Sequence, residues 1–155
     1  MPVGIAIQID AREARRKFAR LGRELRPGVL TKLIGFDFLH WIDRNFTTEG
    51  TEARWKPLKA STIRRRREGP NPSRGVAILQ DTGRVKDSFV RGKSGNVFAS
   101  DDRQVTVGTQ VPYGEFHEKG TSRMPRRRLL PSDRLAESIG IKTIRAAITS
   151  VARGR

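Results

Sequence analysis

The stretch VLTKLIGFDFLHWIDRNF, residues 29–46, decides the architecture. Leu30, Leu33, Ile34, Phe38, Trp41, Ile42 and Phe46 recur at steps of three and four. Side chains at that spacing share one face of an α-helix. The face is broad and the most apolar in the chain, so this helix should form the centre of the core. Trp41 is read as a core residue, and His40 beside it as structural rather than catalytic. Gly35 is the weak point, since a glycine inside a helix costs about 1 kcal/mol relative to alanine.

Upstream, Val3, Ile5, Ile7 and Ile9 alternate with small or polar residues, the period of a half-buried strand. Asp10 is placed to cap a helix over 11–25, with Ala11, Ala14, Phe18, Leu21 and Leu25 on its apolar face. Pro27 and Gly28 end it. Downstream, 47–57 reads as turns around Gly50 and an isolated Trp55. Ser61 or Thr62 should cap a short helix carrying Arg64, Arg65, Arg66 and Arg67. Residues 69–76, with two prolines and two glycines, read as an exposed loop. Thr82 is placed to cap a short helix over 83–89.

A β signal follows. Val97 and Phe98 precede Ser100-Asp101-Asp102, and Val105 and Val107 alternate after it. The spacing predicts a hairpin turning at 100–103. A short helix is expected over 111–119, closed by Gly120. A basic loop comes next, with Arg123, Arg126, Arg127 and Arg128. Ser132 and Asp133 open a last helix with Leu135, Ile139, Ile141, Ile144, Ile148 and Val151 as its apolar positions. Gly140 shifts that face, which predicts a kink or two pieces. The fold class is therefore α+β: a small antiparallel sheet against two or three longer helices, with extended loops, in one domain spanning 1–155.

Composition narrows the function. The 155 residues carry 32 Lys+Arg against 16 Asp+Glu, a net charge of +16. Such an excess repels itself in a compact chain and calls for a polyanionic neighbour. There is no cysteine, hence no disulfide and no thiolate metal site. No apolar run approaches the roughly 20 residues that span a bilayer, and no secretory signal pattern opens the chain. We therefore expect a chain made in the cytoplasm, soluble and without membrane contact. His40 and His117 stand far apart and lack partners at zinc-ligand spacing. Phosphate-cradling and nucleophile-elbow motifs are absent. Asp101-Asp102 fits turn chemistry better than acid–base work. The expectation is a protein with no catalytic site, cofactor or metal.

The arginines are the remaining signal. On a helix, Arg64, Arg65, Arg66 and Arg67 point nearly all round, and they are read as a polyanion contact. Arg126, Arg127 and Arg128 lie between Pro125 and Pro131 in a loop. Guanidinium forks bind phosphates and carboxylates. Aromatic, Met and Arg side chains are also enriched at interfaces. The expected interface residues are Trp55, Pro57, Leu58, Tyr113, His117, Met124, Pro125, Arg126, Arg127 and Arg128.

An ordered set of segments adds a resemblance. It runs Phe46…Gly50…Trp55-Lys56-Pro57-Leu58, then Thr62 and the arginine run, then Ile78-Leu79-Gln80-Asp81-Thr82-Gly83-Arg84-Val85-Lys86-Asp87-Ser88. Val105-Thr106-Val107-Gly108-Thr109, Tyr113-Gly114…His117…Gly120 and Met124-Pro125-Arg126-Arg127-Arg128-Leu129-Leu130 complete it. More than half the chain thereby resembles the phage virion morphogenesis, or tail-completion, family. The pattern departs at Arg128-Leu129, where relatives tend to carry Pro-Phe, and at Pro131, where a glycine often follows. The resemblance implies a structural virion protein added late in tail assembly, at the head-proximal end where tail meets head. Similar neck and tail-terminator proteins form rings, often six-fold. The implied partners are further copies of this chain in a hexameric ring, other neck, tail-terminator or tail-tube proteins, and non-specific contact with genome DNA. The runner-up is a basic nucleic-acid-binding protein that grips the phosphate backbone without sequence specificity. Its binding constant would fall with salt by roughly 0.9 log units per log unit for each duplex phosphate neutralised.

Overall fold

A computed structural model describes residues 19–23, 25–69 and 75–153. The expected strand at 3–9 and most of the helix at 11–25 lie outside those residues; within them, 19–23 is helical. The described elements are α1 (Pro27–Thr47), α2 (Ala60–Glu68), α3 (Arg84–Asp87), β1 (Asn96–Ser100), β2 (Val105–Thr109), α4 (Gly114–Lys119) and α5 (Asp133–Arg153). The class is small α+β, with a two-stranded antiparallel sheet and two 21-residue helices.

Helix α1 runs through the middle, about 31 Å long at 1.5 Å per residue. It begins on Pro27 itself, because a first-turn residue needs no amide hydrogen and proline already has the helical φ. Thr31 Oγ1 ties that end to the hairpin by donating to the Asp101 carbonyl at 2.5 Å. The apolar face is unevenly covered. Trp41, Ile42 and Phe46 are buried, whereas Leu33, in the second turn, is 37% exposed.

The hairpin lies across α1 in the register Phe98↔Val107 and Ser100↔Val105. Paired residues share a face, so Phe98, Val105 and Val107 all point toward the helix. Gly35 is where the two meet. A Cβ there would sit 2.7 Å from Val105 Cγ2 and 2.8 Å from the Phe98 ring. The expected weak point is thus a site of close helix–sheet approach. Phe36 stacks on Phe98 at 5.5 Å, and the Arg91 guanidinium lies 5.1 Å from each ring centroid. The turn falls at 101–104, where Asp101 Oδ1 accepts from the amides of Arg103 and Gln104 at 2.7 and 2.9 Å. Those bonds hold the Asp101 carboxyl below its ordinary range.

Helix α5 packs against α1 as one unbroken piece. The cost of Gly140 is too small to break a 21-residue helix with a packed face. That face is Leu135, Ile139 and Thr143, an i, i+4 stripe. Thr143 is buried and donates its hydroxyl to Asp37 Oδ2 on α1. Ile141, Ile144 and Ile148 sit about 100° to 200° round the helix from this stripe. They are 43%, 36% and 45% exposed, off the core face on which they were expected.

Short elements differ from expectation at their ends. Helix α2 starts on Lys59 with no side-chain cap, so neither Ser61 nor Thr62 caps it. Helix α3 covers only Arg84–Asp87, with Thr82 Oγ1 accepting from the Arg84 amide at 3.3 Å. Helix α4 begins at Gly114, because residues 111–114 close first as a turn, in which the Gly114 amide donates to the Val111 carbonyl at 2.9 Å. Trp41, Ile42, Phe46, Trp55, Ile78, Val85, Phe89, Val111 and Leu129 form one core, drawn from α1, α3 and the connecting segments.

Candidate functional site

The chemistry-bearing residues gather where the irregular segment 121–131 passes the end of α1, the 47–58 turns and α4. Its course is set by hydrogen bonds rather than by secondary structure. Asn45, 2% exposed, donates from Nδ2 to the Arg128 carbonyl at 2.9 Å, and its Oδ1 accepts from the Thr51 amide at 2.8 Å. Trp55 Nε1 reaches the same Arg128 carbonyl at 3.2 Å. The Arg127 amide donates to the His117 carbonyl at 2.8 Å. Leu129 then drops into the core, 2% exposed.

Glu118 holds the segment from the other side. Its Oε2 accepts the amides of Leu129 and Leu130 at 2.5 and 3.1 Å. Its Oε1 lies 3.6 Å from Arg128 Nε. The 47–58 turns are equally determined. Gly50 has φ +112°, and a Cβ there would strike the Ala53 carbonyl oxygen at 2.1 Å. Glu49 Oε1 accepts the Ile78 amide at 2.8 Å. Glu52 accepts the amide and the hydroxyl of Ser132, which joins these turns to the start of α5. Burial pushes the Glu52 carboxyl upward, but those two bonds and the Arg128 charge outweigh it and set it below its ordinary value.

The expected interface residues divide. Trp55 is in the core, 6% exposed, with its ring edge against Phe46 at 5.5 Å. Arg127 is also buried, and its Nε and Nη2 donate to the Lys56 carbonyl at 3.2 and 2.9 Å. A bidentate grip on one carbonyl makes it a strut between two loops. Pro57, Leu58 and Arg67 border a shallow hollow of about 560 Å³. Met124 and Pro125 are half-buried, with Met124 folded back on Thr121. Arg126 is exposed and donates from Nε to the Glu118 carbonyl at 2.9 Å. Tyr113 stands edge-on to His117 at 6.2 Å.

The four consecutive arginines also divide. Arg64, Arg65 and Arg67 are exposed, while Arg66 turns inward. Its Nη1 donates to the Ala77 carbonyl at 2.8 Å, and its Nε faces Asp81 at 3.5 Å. The two arginine clusters, far apart in sequence, meet through these inward members. Arg66, Arg127, His117, Tyr113 and Leu58 line one cleft. Burial, and then the neighbouring Arg66, lower the Arg127 pKa; burial, and then Arg127, lower that of His117. His117 Nδ1 is buried and finds no hydrogen-bond partner among the described residues.

His40 is exposed on α1, with its ring Nε2 3.2 Å from Arg44. Among the described residues no three His, Asp or Glu side chains group as metal ligands, and no helix is long and apolar enough to cross a membrane. Sequence reading missed Asn45, Glu49, Glu52 and Glu118. For the three acids the available signal was scarcity: in a chain with twice as many bases as acids, each stands one or two residues from a turn glycine, placed to accept backbone amides, whereas Asn45 carried no such mark. Searches against family models, curated proteins and solved structures find no match to this chain.

Proposed function

We propose that the chain is a structural virion protein of a tailed bacteriophage, one that completes the tail or neck at the head-proximal end. It works there as a ring of identical copies, six-fold by the resemblance, joined to other neck, terminator or tail-tube proteins. The observation that carries this reading is the ordered set of family-like segments from Phe46 to Pro131. Surface chemistry supports it. Phe116, between Tyr113 and His117 in the chain, is 52% exposed, and Ile141, Ile144 and Ile148 form a second exposed apolar row. Exposed aromatic and aliphatic rows beside arginines suit a subunit whose faces are covered by neighbours. A closed ring joins one patch of each copy to a different patch of the next. Its test is light scattering of the purified full chain, beside imaging of tails made with and without it. A discrete multimer and defective tails without the protein support the reading. A lone chain absent from the virion overturns it.

A second reading, a backbone-binding nucleic-acid protein, is favoured by the exposed guanidinium groups of Arg64, Arg65 and Arg67 on α2. A gel shift across salt concentrations separates the two. Tight DNA binding that weakens steeply with salt, with no multimer formed, selects the second.

A further inference from the structure

Arg66 of α2 and Arg127 of the 121–131 segment end in the same cleft, a hollow of about 310 Å³ with Arg84, Tyr113 and His117 around it. Arg66 is 9% exposed and Arg127 6%, so both charges are withdrawn from water. Buried charges of like sign require a counter-charge close by. Among the described residues, Asp81 is the single carboxylate of the cleft wall, and it is shared. One oxygen lies 3.5 Å from Arg66 Nε, and the other lies 3.9 Å from the exposed Arg65. Among the described residues, Arg127 meets only a carbonyl dipole, that of Lys56. Three guanidinium groups against one carboxylate leave the wall two positive charges in excess. The effect on Arg127 is visible, since burial and Arg66 together weaken its hold on its proton.

We propose that this cleft is a receptor for one small oxyanion, a phosphate or carboxylate group, gripped by Arg66, Arg84 and Arg127. Guanidinium N–H groups donate charge-assisted hydrogen bonds to the oxygens of both groups. One or two negative charges would cancel the excess. A recessed cleft of this size takes a terminal or free group, whereas a duplex phosphate is flanked by its sugars. The grip is complete within one chain, so it does not depend on any ring.

The test is nuclear magnetic resonance of the full chain labelled on its histidine rings, at pH 7.5 and constant ionic strength held with chloride. Inorganic phosphate is titrated in one arm and acetate in the other. The His117 ring signal should shift along a saturating curve, while His40, out on α1, stays still. Saturation by phosphate alone identifies a phosphate site; saturation by acetate as well extends it to carboxylates. Arg84→Gln, a change at an exposed position of the wall, should weaken binding about tenfold without moving the melting temperature. Arg64→Gln, on the outer side of α2, should leave it unaltered. A linear response to both anions, a response shared by His40, or unchanged affinity in Arg84→Gln overturns the proposal.

Discussion

The indole Nε1 of Trp55 donates to the backbone carbonyl of Arg128 across 73 residues of chain, at 3.2 Å. The same carbonyl takes a second bond from Asn45 Nδ2, so the 121–131 segment is fastened to α1 and to the 47–58 turns at one atom. Trp55→Phe keeps a ring against Phe46 and removes only the donor. With Asn45 still in place, the loss should be about 0.5–1.5 kcal/mol. Trp55→Ala also empties the core and should cost about 3–5 kcal/mol. Urea unfolding of the two variants checks this. An unchanged midpoint in Trp55→Phe would show that the indole N–H contributes nothing, and equal losses would show that the ring packing contributes nothing.

Glu118 carries a comparable share from α4. Removing its carboxylate strands the amides of Leu129 and Leu130, and a buried amide without a partner costs about 1–3 kcal/mol. Glu118→Ala should therefore lower the unfolding free energy by that amount. Glu118→Gln keeps an acceptor oxygen and should fall within about 1 kcal/mol of the wild type, because its ion pairs with Arg126 and Arg128 are partly exposed. Amide hydrogen exchange at Leu129 and Leu130 reads the same contact directly: fast in Glu118→Ala, slow in Glu118→Gln.

These two contacts show what sequence reading could and could not reach. Periodicity found α1, the hairpin and α5, because burial on one face leaves a repeating trace. It placed Phe46, Trp41 and Ile42 in the core. It had no access to the path of 121–131, whose position depends on single bonds to Asn45, Trp55 and Glu118 from distant segments. For the same reason sequence reading offers Trp55 and Arg127 as interface residues: an aromatic or an arginine in a turn carries no periodic mark of burial. The Arg64–Arg67 run was read evenly, yet its inward member, Arg66, reaches a carboxylate 15 positions on. Ile141, Ile144 and Ile148 count among the apolar positions of α5, yet the stripe that packs is completed by Thr143, which satisfies its hydroxyl on Asp37 and carries no apolar mark.

Two glycines, one in each long helix, should respond in opposite directions to the same change. Gly35→Ala drives a methyl into Phe98 and Val105. Overpacking of that kind costs about 1–3 kcal/mol, against a gain of about 1 kcal/mol in helix propensity. The net effect should be destabilising. Gly140→Ala meets no atom within 4 Å and should stabilise by about 0.5–1 kcal/mol. Thermal melts of both variants decide it. A stabilised Gly35→Ala protein would mean that the hairpin sits farther from α1 than described.

Acid should weaken the fold in two separate steps, each traceable to one residue. Burial and the Arg127 charge hold His117 below its ordinary value of 6.5. The unfolded chain then binds a proton that the folded chain refuses. Stability is therefore full above pH 6.5 and declines as pH falls from there to the folded pKa. Glu52 is also held below its ordinary value, of 4.5, because the bonds from Ser132 and the Arg128 charge outweigh burial. Its contribution is full above pH 4.5 and disappears as pH falls through the folded pKa. His117→Gln should flatten the first decline and leave the second. Glu52→Gln should flatten the second and leave the first. Urea midpoints measured from pH 8 to pH 3 at fixed ionic strength read both, since constant salt holds the screening of the +16 charge steady. Should either variant keep its own decline at full slope, that residue is not its source.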